Sequence, residues 1–161
     1  VDIVQNAADL HVGLGLGIPR VAILSAVESV TEKIPSTLEA AALCKMADRG
    51  QITDVIIDGP LAMDNAISLE AARIKGIKSE VAGRVQILVA PDLEAGNMLA
   101  KNLTFLSGAE ATGIVLGARV PIILTSRADS ATARLASCAV AAVYADALMK
   151  KNAILAAAAG E

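Results

Sequence analysis

Apolar residues occur in this chain as short continuous runs and, between the runs, as a repeat of about one every three or four positions. The short runs, which predict buried strands, cover residues 21–24, 55–57, 85–89, 114–116 and 122–124. The repeats, which predict helices, cover residues 2–14, 36–49, 68–76, 93–106 and 131–151. This alternation indicates an α/β fold with a mostly parallel sheet and helices on both faces, a three-layer αβα arrangement. Residues 154–161 are expected to fray as a continuation of the last helix or to pack as a tail.

Local signals predict where several of these elements begin and end. Residues 36–39 have the form of a capping box, so Ser36 is expected to cap its helix. Gly59 and Pro60 predict a turn after the second strand, which would place Asp64 on a loop beyond the strand end. Four leucines are the expected inward residues of the helix over 93–106: Leu93, Leu99, Leu103 and Leu106.

Composition narrows the class of protein. The 161 residues are the length of one ordinary domain, and the 55% that are hydrophobic exclude disorder. Phe105 and Tyr144 are the only aromatic residues, so aliphatic side chains must fill the core, as in helices packed on a buried parallel sheet. The net charge of −3, without a basic stripe or a set of rings for base stacking, argues against nucleic-acid binding.

Metal and membrane binding lack support in the sequence. No CxxC motif occurs and the lone His11 has no partner at ligand spacing, so no metal site is predicted. Cys44 and Cys138 lie among apolar neighbours and are expected to be buried free thiols in a reducing compartment. The longest uncharged stretch of the last helix, residues 135–145, is shorter than the about 18 residues that span a bilayer. With no secretory signal, the chain is expected to be cytoplasmic and without a membrane partner.

Polar side chains follow four of the predicted strands at the point where each strand ends. Because the carboxyl ends of parallel strands share one edge of a sheet, these side chains are expected to converge there. They supply hydroxyls, carboxylates and one arginine with no histidine nearby, which argues against a Ser-His-Asp hydrolase. Taken singly, each is equally explained as a helix cap or a polar loop residue. They are Ser25, Glu28, Asp58, Asp64, Asp92, Glu94, Ser126, Arg127 and Asp129.

The last of these clusters has the clearest chemistry. Residues 125–130 lie where a strand gives way to a helix, and Ser130 or Asp129 can cap that helix. The exposed N–H groups of a helix N-terminus favour an anion, and the guanidinium of Arg127 suits phosphate. The stretch therefore predicts an anion site, the alternative being a capped helix with one surface arginine.

Three longer motifs resemble a known family. They are residues 57–68 (IDGPLAMDNAIS), 91–101 (PDLEAGNMLAK) and 125–130 (TSRADS). In this order they resemble the phosphate acetyl/butyryl transferase family, and the similarity extends from residue 3 to residue 144. The resemblance implies a reversible exchange in which acyl-CoA and inorganic phosphate give acyl phosphate and CoA. It also implies that CoA is a substrate and that no metal or tightly bound cofactor is required.

The same resemblance implies an architecture. Family members have an isocitrate/isopropylmalate dehydrogenase-like fold, with two α/β lobes, a cleft between them, and usually a homodimer. The chain resembles their C-terminal half. Residues 1–118 would belong to the second lobe, incomplete at its N-terminus, and residues 119–161 would supply a returning strand and helix of the first lobe.

Residue roles are carried over position by position. The family's serine-arginine pair falls on Ser126 and Arg127, as a hydrogen-bond donor and as the group that binds phosphate or thiolate. Acetyltransferase-type members have an aspartate, proposed as the base, six positions after this arginine, where this chain has Ala133. Asp129 or Asp64 is then the candidate base. The Ser-Arg-Ala-Asp-Ser form is closer to the butyryltransferase-like branch, which we favour on this motif.

Other residues and other functions stay open. Asn97, Lys101 and Ser25 are weaker candidates for polar contacts to CoA, and for Lys101 a structural role is favoured. The alternatives are a phosphate acetyltransferase and a C-terminal fragment that keeps the fold and the dimer contacts without turnover. A metal-dependent 2-hydroxy-acid dehydrogenase shares the fold but has no other support, and nicotinamide reduction on adding a divalent cation would identify it.

Overall fold

The computed structural model describes residues 1–158. Its helices are Asp2–Gly13 (α1), Pro35–Asp48 (α2), Met63–Ile67 (α3), Leu69–Ile74 (α4), Leu93–Phe105 (α5) and Ala131–Ala158 (α6). Its strands are Arg20–Leu24 (β1), Ile56–Leu61 (β2), Ile87–Val89 (β3), Ile114–Val115 (β4) and Ile122–Ile123 (β5). The predicted order is confirmed, with one predicted helix replaced by α3 and α4. The end of the expected tail, residues 159–161, lies outside the described residues.

A three-stranded parallel sheet organises residues 1–105. The strand order is β2-β1-β3, so β1 is hydrogen bonded on both sides. Successive side chains of β1 point to opposite faces. Val21 and Ile23 pack with Val4 and Ala40, beneath α1 and α2. Ala22 and Leu24 instead pack with a cluster from the end of β2, from α3 and α4, and from the loop after them, whose members are Leu61, Ala66, Ala72, Val81 and Ala82.

Strands β4 and β5 depart from the predicted sheet. They pair with each other as an antiparallel two-stranded sheet, separate from the parallel one. The expectation of a mostly parallel sheet is therefore met by β1, β2 and β3 and is wrong for β4 and β5. The physical reason is the short connection over residues 116–121, because a parallel crossover needs about a dozen residues or more.

The predicted turn at Gly59 and Pro60 is also wrong. Both residues lie inside β2, joined by a cis peptide bond, and the strand continues to Leu61. A Cβ on Gly59 would come within 2.8 Å of the Ile23 Cβ and 2.9 Å of the Ile23 carbonyl oxygen, so the glycine permits close contact with β1. Proline is tolerated because β2 is an edge strand. Asp64 consequently lies in α3 instead of on a loop.

Helix α2 begins two residues earlier than its capping-box pattern predicts. Pro35 occupies the first helical position and Ile34 the cap position, since proline suits the first turn of a helix. The Thr37 hydroxyl donates to the carbonyl groups of Thr31 and Ile34, at 2.8 and 2.7 Å. Ser36 is therefore not the cap, and its hydroxyl is free to bond elsewhere.

The leucine assignment in α5 is correct for one residue of four. Leu99 packs against the core. Leu93 and Leu106 are 84% and 82% exposed, and Leu103 is also exposed. The exposed apolar surface continues on β5 and along α6. Cys138, expected to be buried, is exposed, whereas Cys44 is partly buried.

Within the described residues, α6 is the one helix long and apolar enough to cross a membrane, judged by length and composition alone. Core helices of soluble proteins meet the same criterion. Its Tyr144 is buried, and a Cβ added to Gly13 would lie 3.0 Å from the Tyr144 ring. Part of α6 is thus packed against the end of α1.

Gly59→Ala is expected to lower the free energy of unfolding by about 1–3 kcal/mol, because the added methyl group meets Ile23 in a packed core. Gly96→Ala is the matched control. There the new Cβ meets only Ala90, at 3.4 Å, and replacing a glycine within a helix should stabilise by about 0.5–1 kcal/mol. Urea denaturation of both variants measures the difference, and equal stability would contradict the assigned contact.

Candidate functional site

The carboxyl ends of the parallel strands form a shared edge, here called the sheet rim. A part-open cavity of about 330 Å³ lies there. Its lining is mostly apolar and comes from all three strand ends and from α5: Leu24, Ser25, Ala26, Met63, Ala90, Pro91, Ala95 and Leu99. The Ser25 and Ser36 hydroxyls are hydrogen bonded at 2.8 Å. The predicted convergence of strand ends is thus confirmed for β1, β2 and β3.

A charged group involving the segment after β1, α3 and α4 is called here the Lys75 cluster, and it consists of Glu28, Asp64, Asn65 and Lys75. The Lys75 ammonium lies 3.2 Å from a Glu28 carboxylate oxygen and 3.0 Å from one of Asp64. The Asn65 side-chain amide donates to Glu28 at 3.2 Å. Asn65 is fully buried, and its Oδ1 has no hydrogen-bond partner among the described residues. Lys75 itself was absent from the sequence prediction.

The contacts of the Lys75 cluster determine whether Asp64 can act as a general base. The hydrogen bond from Lys75, followed by that from the Asn65 backbone N–H, holds the pKa of Asp64 below its usual range. The Asp64 hydrogen bond likewise raises the pKa of Lys75. A carboxylate stabilised in its charged form is a weaker proton acceptor. The geometry therefore argues against Asp64 as the general base.

Asp58 lies apart from Asp64. It belongs to β2, where its carboxylate accepts a hydrogen bond from the Gly59 N–H at 2.8 Å. It lines an open cleft of about 430 Å³ along the edge of the sheet, together with Lys78 and Ser79. Burial, then the nearby charge of Asp58, raises the pKa of the Cys44 thiol to about 11. Cys44 is therefore a protonated thiol at neutral pH, not a nucleophile.

Residues 126–130 form a closed turn before α6. The Ser126 N–H donates to the Asp129 carboxylate at 2.6 Å, and the Asp129 N–H donates to the Ser126 carbonyl at 3.1 Å. The Ser130 hydroxyl accepts from the Ala133 N–H at 3.1 Å, which makes Ser130 the cap of α6, as predicted. Among the described residues, the Ser126 hydroxyl accepts one hydrogen bond, from the Ala128 N–H, and its own hydrogen is available to a ligand.

Arg127 is exposed, at the outside of this turn. Its carbonyl accepts a hydrogen bond from the Arg134 guanidinium at 3.4 Å. No hydrogen bond or ion pair within residues 1–158 joins its own guanidinium to Asp58 or Asp64. The turn follows β5, which is outside the parallel sheet. The expectation that one edge of a single sheet gathers Arg127 with Asp58 and Asp64 is therefore wrong for this chain.

Beside the turn lies a part-open cavity of about 280 Å³, between the end of α5 and the start of α6. Asp129 and Ser130 line it, with Glu110, Phe105, five alanines and three threonines. Asn97 and Lys101, the α5 candidates for CoA contacts, are exposed. The Lys101 ammonium lies 5.7 Å from the centre of the Phe105 ring, a cation–π geometry that explains Lys101 structurally.

No group of three or more His, Cys, Asp or Glu side chains in the part of the chain described by the structure is placed to hold a metal ion. The polar sites in that part are the Lys75 cluster at the sheet rim and the turn of residues 126–130. The fold and these sites define an α/β protein with a capped, arginine-bearing helix N-terminus beside an apolar cavity.

Comparison with known proteins identifies the family to which this chain belongs. Residues 1–142 match the family described as "Phosphate acetyl/butaryl transferase", and the chain belongs to this family. It is 78% identical over 144 residues to a phosphate acetyltransferase of Rhizobium meliloti, covering 89% of the chain and 46% of the relative. It is 46% identical over 145 residues to a phosphate butyryltransferase of Clostridium acetobutylicum, covering 90% and 48%.

A solved structure agrees with the sequence comparison. The crystal structure of a branched-chain phosphotransacylase from Enterococcus faecalis V583 superposes with a TM-score of 0.79 at 35% identity, covering 89% of this chain and 52% of that one. The chain spans about half the length of the curated relatives it matches. The resemblance predicted from the three motifs is confirmed.

Lys75→Met is expected to raise the pKa of Asp64 toward its usual range, because the Lys75 hydrogen bond is the largest cause of its lowering. A carboxylate whose pKa is lowered on folding stabilises the folded state above its ordinary pKa, and that contribution disappears as the pH falls through the lowered pKa. The stability difference between wild type and variant should thus be largest near neutral pH and vanish in acid.

Carbon-detected NMR titration of the Asp64 carboxyl measures the first effect, and urea denaturation as a function of pH measures the second. Lys78→Met, an exposed change elsewhere on the surface, is the control. An Asp64 pKa that is the same in wild type and Lys75→Met would contradict the assigned ion pair.

Proposed function

We propose that this chain provides the acyl-transfer turn of a phosphate acyltransferase, which exchanges an acyl group between CoA and inorganic phosphate through an acyl phosphate. The observation that carries the proposal is the turn at residues 126–130. It presents a serine hydroxyl, an arginine and a capped helix N-terminus next to a part-open cavity. Membership of the phosphate acetyl/butyryl transferase family supports the same reaction.

The chemistry explains why these groups belong together. When the CoA thiolate attacks the acyl carbonyl of an acyl phosphate, negative charge passes from sulfur to the carbonyl oxygen and then to the departing phosphate. Preorganised positive charge lowers the barrier where that charge develops. Arg127 and the N-terminus of α6 supply it, and the Ser126 hydroxyl donates a hydrogen bond to the same oxygen atoms. Exposure of Arg127 leaves its guanidinium open to an incoming phosphate.

Of the two candidate bases, we propose Asp129. Asp64 is held in its charged form by Lys75, and no hydrogen bond connects it to the turn. Asp129 is hydrogen bonded to the Ser126 backbone and lines the cavity. A carboxylate is a weak base toward a thiol of pKa about 8.5, so we expect proton removal to be assisted by binding of the thiol beside Arg127. Asn97 is left as a surface contact for CoA, whereas Ser25 is buried and bonded to Ser36 and Lys101 contacts the Phe105 ring.

We further propose the two-lobe, isocitrate/isopropylmalate dehydrogenase-like architecture, with residues 1–118 in one lobe and residues 119–161 in the other. The position of β5 outside the parallel sheet of β1, β2 and β3 supports the assignment of residues 119–161 to a separate lobe. The exposed apolar side chains of β5 and α6, among them Ile122, Leu124 and Leu135, would pack on the rest of the first lobe and on a second copy in a homodimer. The same packing accounts for the apolar α6 without a membrane, in a cytoplasmic protein that needs no metal or bound cofactor.

The identity of the acyl group is the part of this function on which the motif and the relatives differ. The motif at residues 126–130 favours the butyryltransferase-like branch, whereas the relative with 78% identity carries the name phosphate acetyltransferase. A fragment that keeps the fold and the dimer contacts without turnover is the second candidate, since the chain spans about half the length of these relatives.

Thiol release from acetyl-CoA or butyryl-CoA on adding arsenate tests the function, because acyl arsenate hydrolyses and drives the exchange forward. The 161-residue chain is assayed beside the Rhizobium meliloti relative and beside a chimera in which this chain replaces the aligned region of that relative. We expect turnover by the relative and by the chimera. A folded chimera without turnover would contradict the proposed function, and turnover by the chimera but not by the chain alone would support the fragment.

Arg127→Ala in the chimera is expected to lower kcat by roughly 100-fold or more, as for loss of a group that stabilises a developing charge. Arg119→Ala, which removes an exposed arginine between β4 and β5, is the matched control and should change kcat less than about twofold. Steady-state kinetics with both thioesters separates kcat from KM. A rise in KM alone in Arg127→Ala would assign the guanidinium to substrate binding and not to the transition state.

A further inference from the structure

We propose that the cavity between α5 and α6 holds the acyl chain of the substrate, and that Phe105, Ala133 and Ala136 set the chain length it accepts. The inference rests on the proposed function, because it assigns a place to the acyl group that such a reaction transfers. It names a specificity pocket and the side chains that line it.

The lining of the cavity matches an acyl thioester. The cavity has a volume of about 280 Å³, and most of its lining surface is apolar, from five alanines and the Phe105 ring. Its polar lining residues are Thr104, Glu110, Thr112, Asp129, Ser130 and Thr132, and Asp129 and Ser130 belong to the turn that carries Ser126 and Arg127. An acyl group presents the same combination, with a polar carbonyl joined to an apolar chain. The alanines are Ala109, Ala111, Ala128, Ala133 and Ala136.

Ala133 contributes a small apolar side chain to the wall of the cavity. Ala133 and Ala136 are three residues apart and therefore lie on the same face of α6. With alanine at both positions this part of the wall is apolar, and it leaves room that larger side chains would fill. This wall suits an acyl chain longer than acetyl.

The cavity at the sheet rim is the alternative place for an acyl chain, and its lining argues against it. It is also largely apolar, but its walls come from β1, β2, β3 and the first half of α5. No residue of the 126–130 turn lines it. A chain bound there would have its carbonyl among Ser25, Met63 and Pro91, none of which belongs to that turn. The α5–α6 cavity is the one that joins apolar walls to the reacting turn.

The affinity for different thioesters follows from the buried methylene groups. Each methylene transferred from water to an apolar site contributes about fourfold in binding. Butyryl-CoA has two more methylenes than acetyl-CoA, so it should bind roughly 15-fold more tightly. CoA without an acyl group should leave the cavity empty.

The chain provides its own probes, since it contains one phenylalanine and one tyrosine. Fluorine NMR of the 161-residue chain, labelled with 4-fluorophenylalanine and 3-fluorotyrosine, gives one signal at Phe105 in the cavity wall and one at Tyr144 outside it. We expect butyryl-CoA to shift the Phe105 signal and leave the Tyr144 signal in place. CoA alone should shift neither. A Phe105 signal unchanged at saturating butyryl-CoA, with binding verified by calorimetry, overturns the proposal.

Two substitutions test the cavity walls. Ala136→Leu fills the cavity and is expected to weaken butyryl-CoA binding about tenfold while changing acetyl-CoA binding less than twofold. Phe105→Ala removes one wall at an exposed position, where folding is not at risk, and should bring the two thioesters to within about threefold of each other. Ala42→Leu, the same enlargement on the exposed surface of α2, is the control and should change neither affinity.

The arsenate assay separates failure of this pocket from failure of the proposed function. If Ala136→Leu and Phe105→Ala leave the butyryl-to-acetyl ratio unchanged while the chimera still releases thiol, the function holds and the pocket assignment is wrong. If the folded chimera releases no thiol from either substrate, the function itself fails and the pocket assignment fails with it.

Discussion

The central strand β1 is the constraint on which the parallel part of the structure depends. It is hydrogen bonded to β2 on one side and to β3 on the other, and its alternating side chains anchor two separate apolar clusters. Val21 and Ile23 therefore hold α1 and α2 on one face of the sheet, and Ala22 and Leu24 hold α3 and α4 on the other. Because all three strands run in the same direction, their carboxyl ends meet at one edge, and the sheet rim exists as a consequence of this single strand.

The structure contains two polar groups that differ in whether their charges are paired. In the Lys75 cluster, one ammonium pairs with two carboxylates, and a buried asparagine donates to one of them, so every charged group has an oppositely charged partner inside the cluster. The 126–130 turn is closed by bonds between backbone and short side chains, and its arginine carries no carboxylate partner among residues 1–158. A cluster whose charges are paired with one another is suited to holding segments together, whereas a cation without a carboxylate partner is suited to binding an anionic ligand. This contrast supports the assignment of chemistry to the turn.

The sequence predicts those features that depend on near neighbours. The order of helices and strands and the cap of α6 at Ser130, one of the two residues proposed for it, involve residues within a few positions of each other. Lys75 could not be predicted, because its partner Glu28 is 47 positions away and folding alone brings the two together. The course of β2 through Gly59 depends on the neighbouring strand, and the antiparallel pairing of β4 with β5 depends on the length of their connection. These outcomes are set by tertiary contacts, which periodicity does not contain.

Pro60 has a consequence for how copies of this chain meet one another. An edge strand normally offers a row of free N–H and C=O groups that a strand from another molecule can join, which is a route to uncontrolled aggregation. In β2 the proline has no N–H to offer, so the row is interrupted one residue before the strand ends. The buried proline that follows Gly59 thus also limits pairing at this border of the sheet.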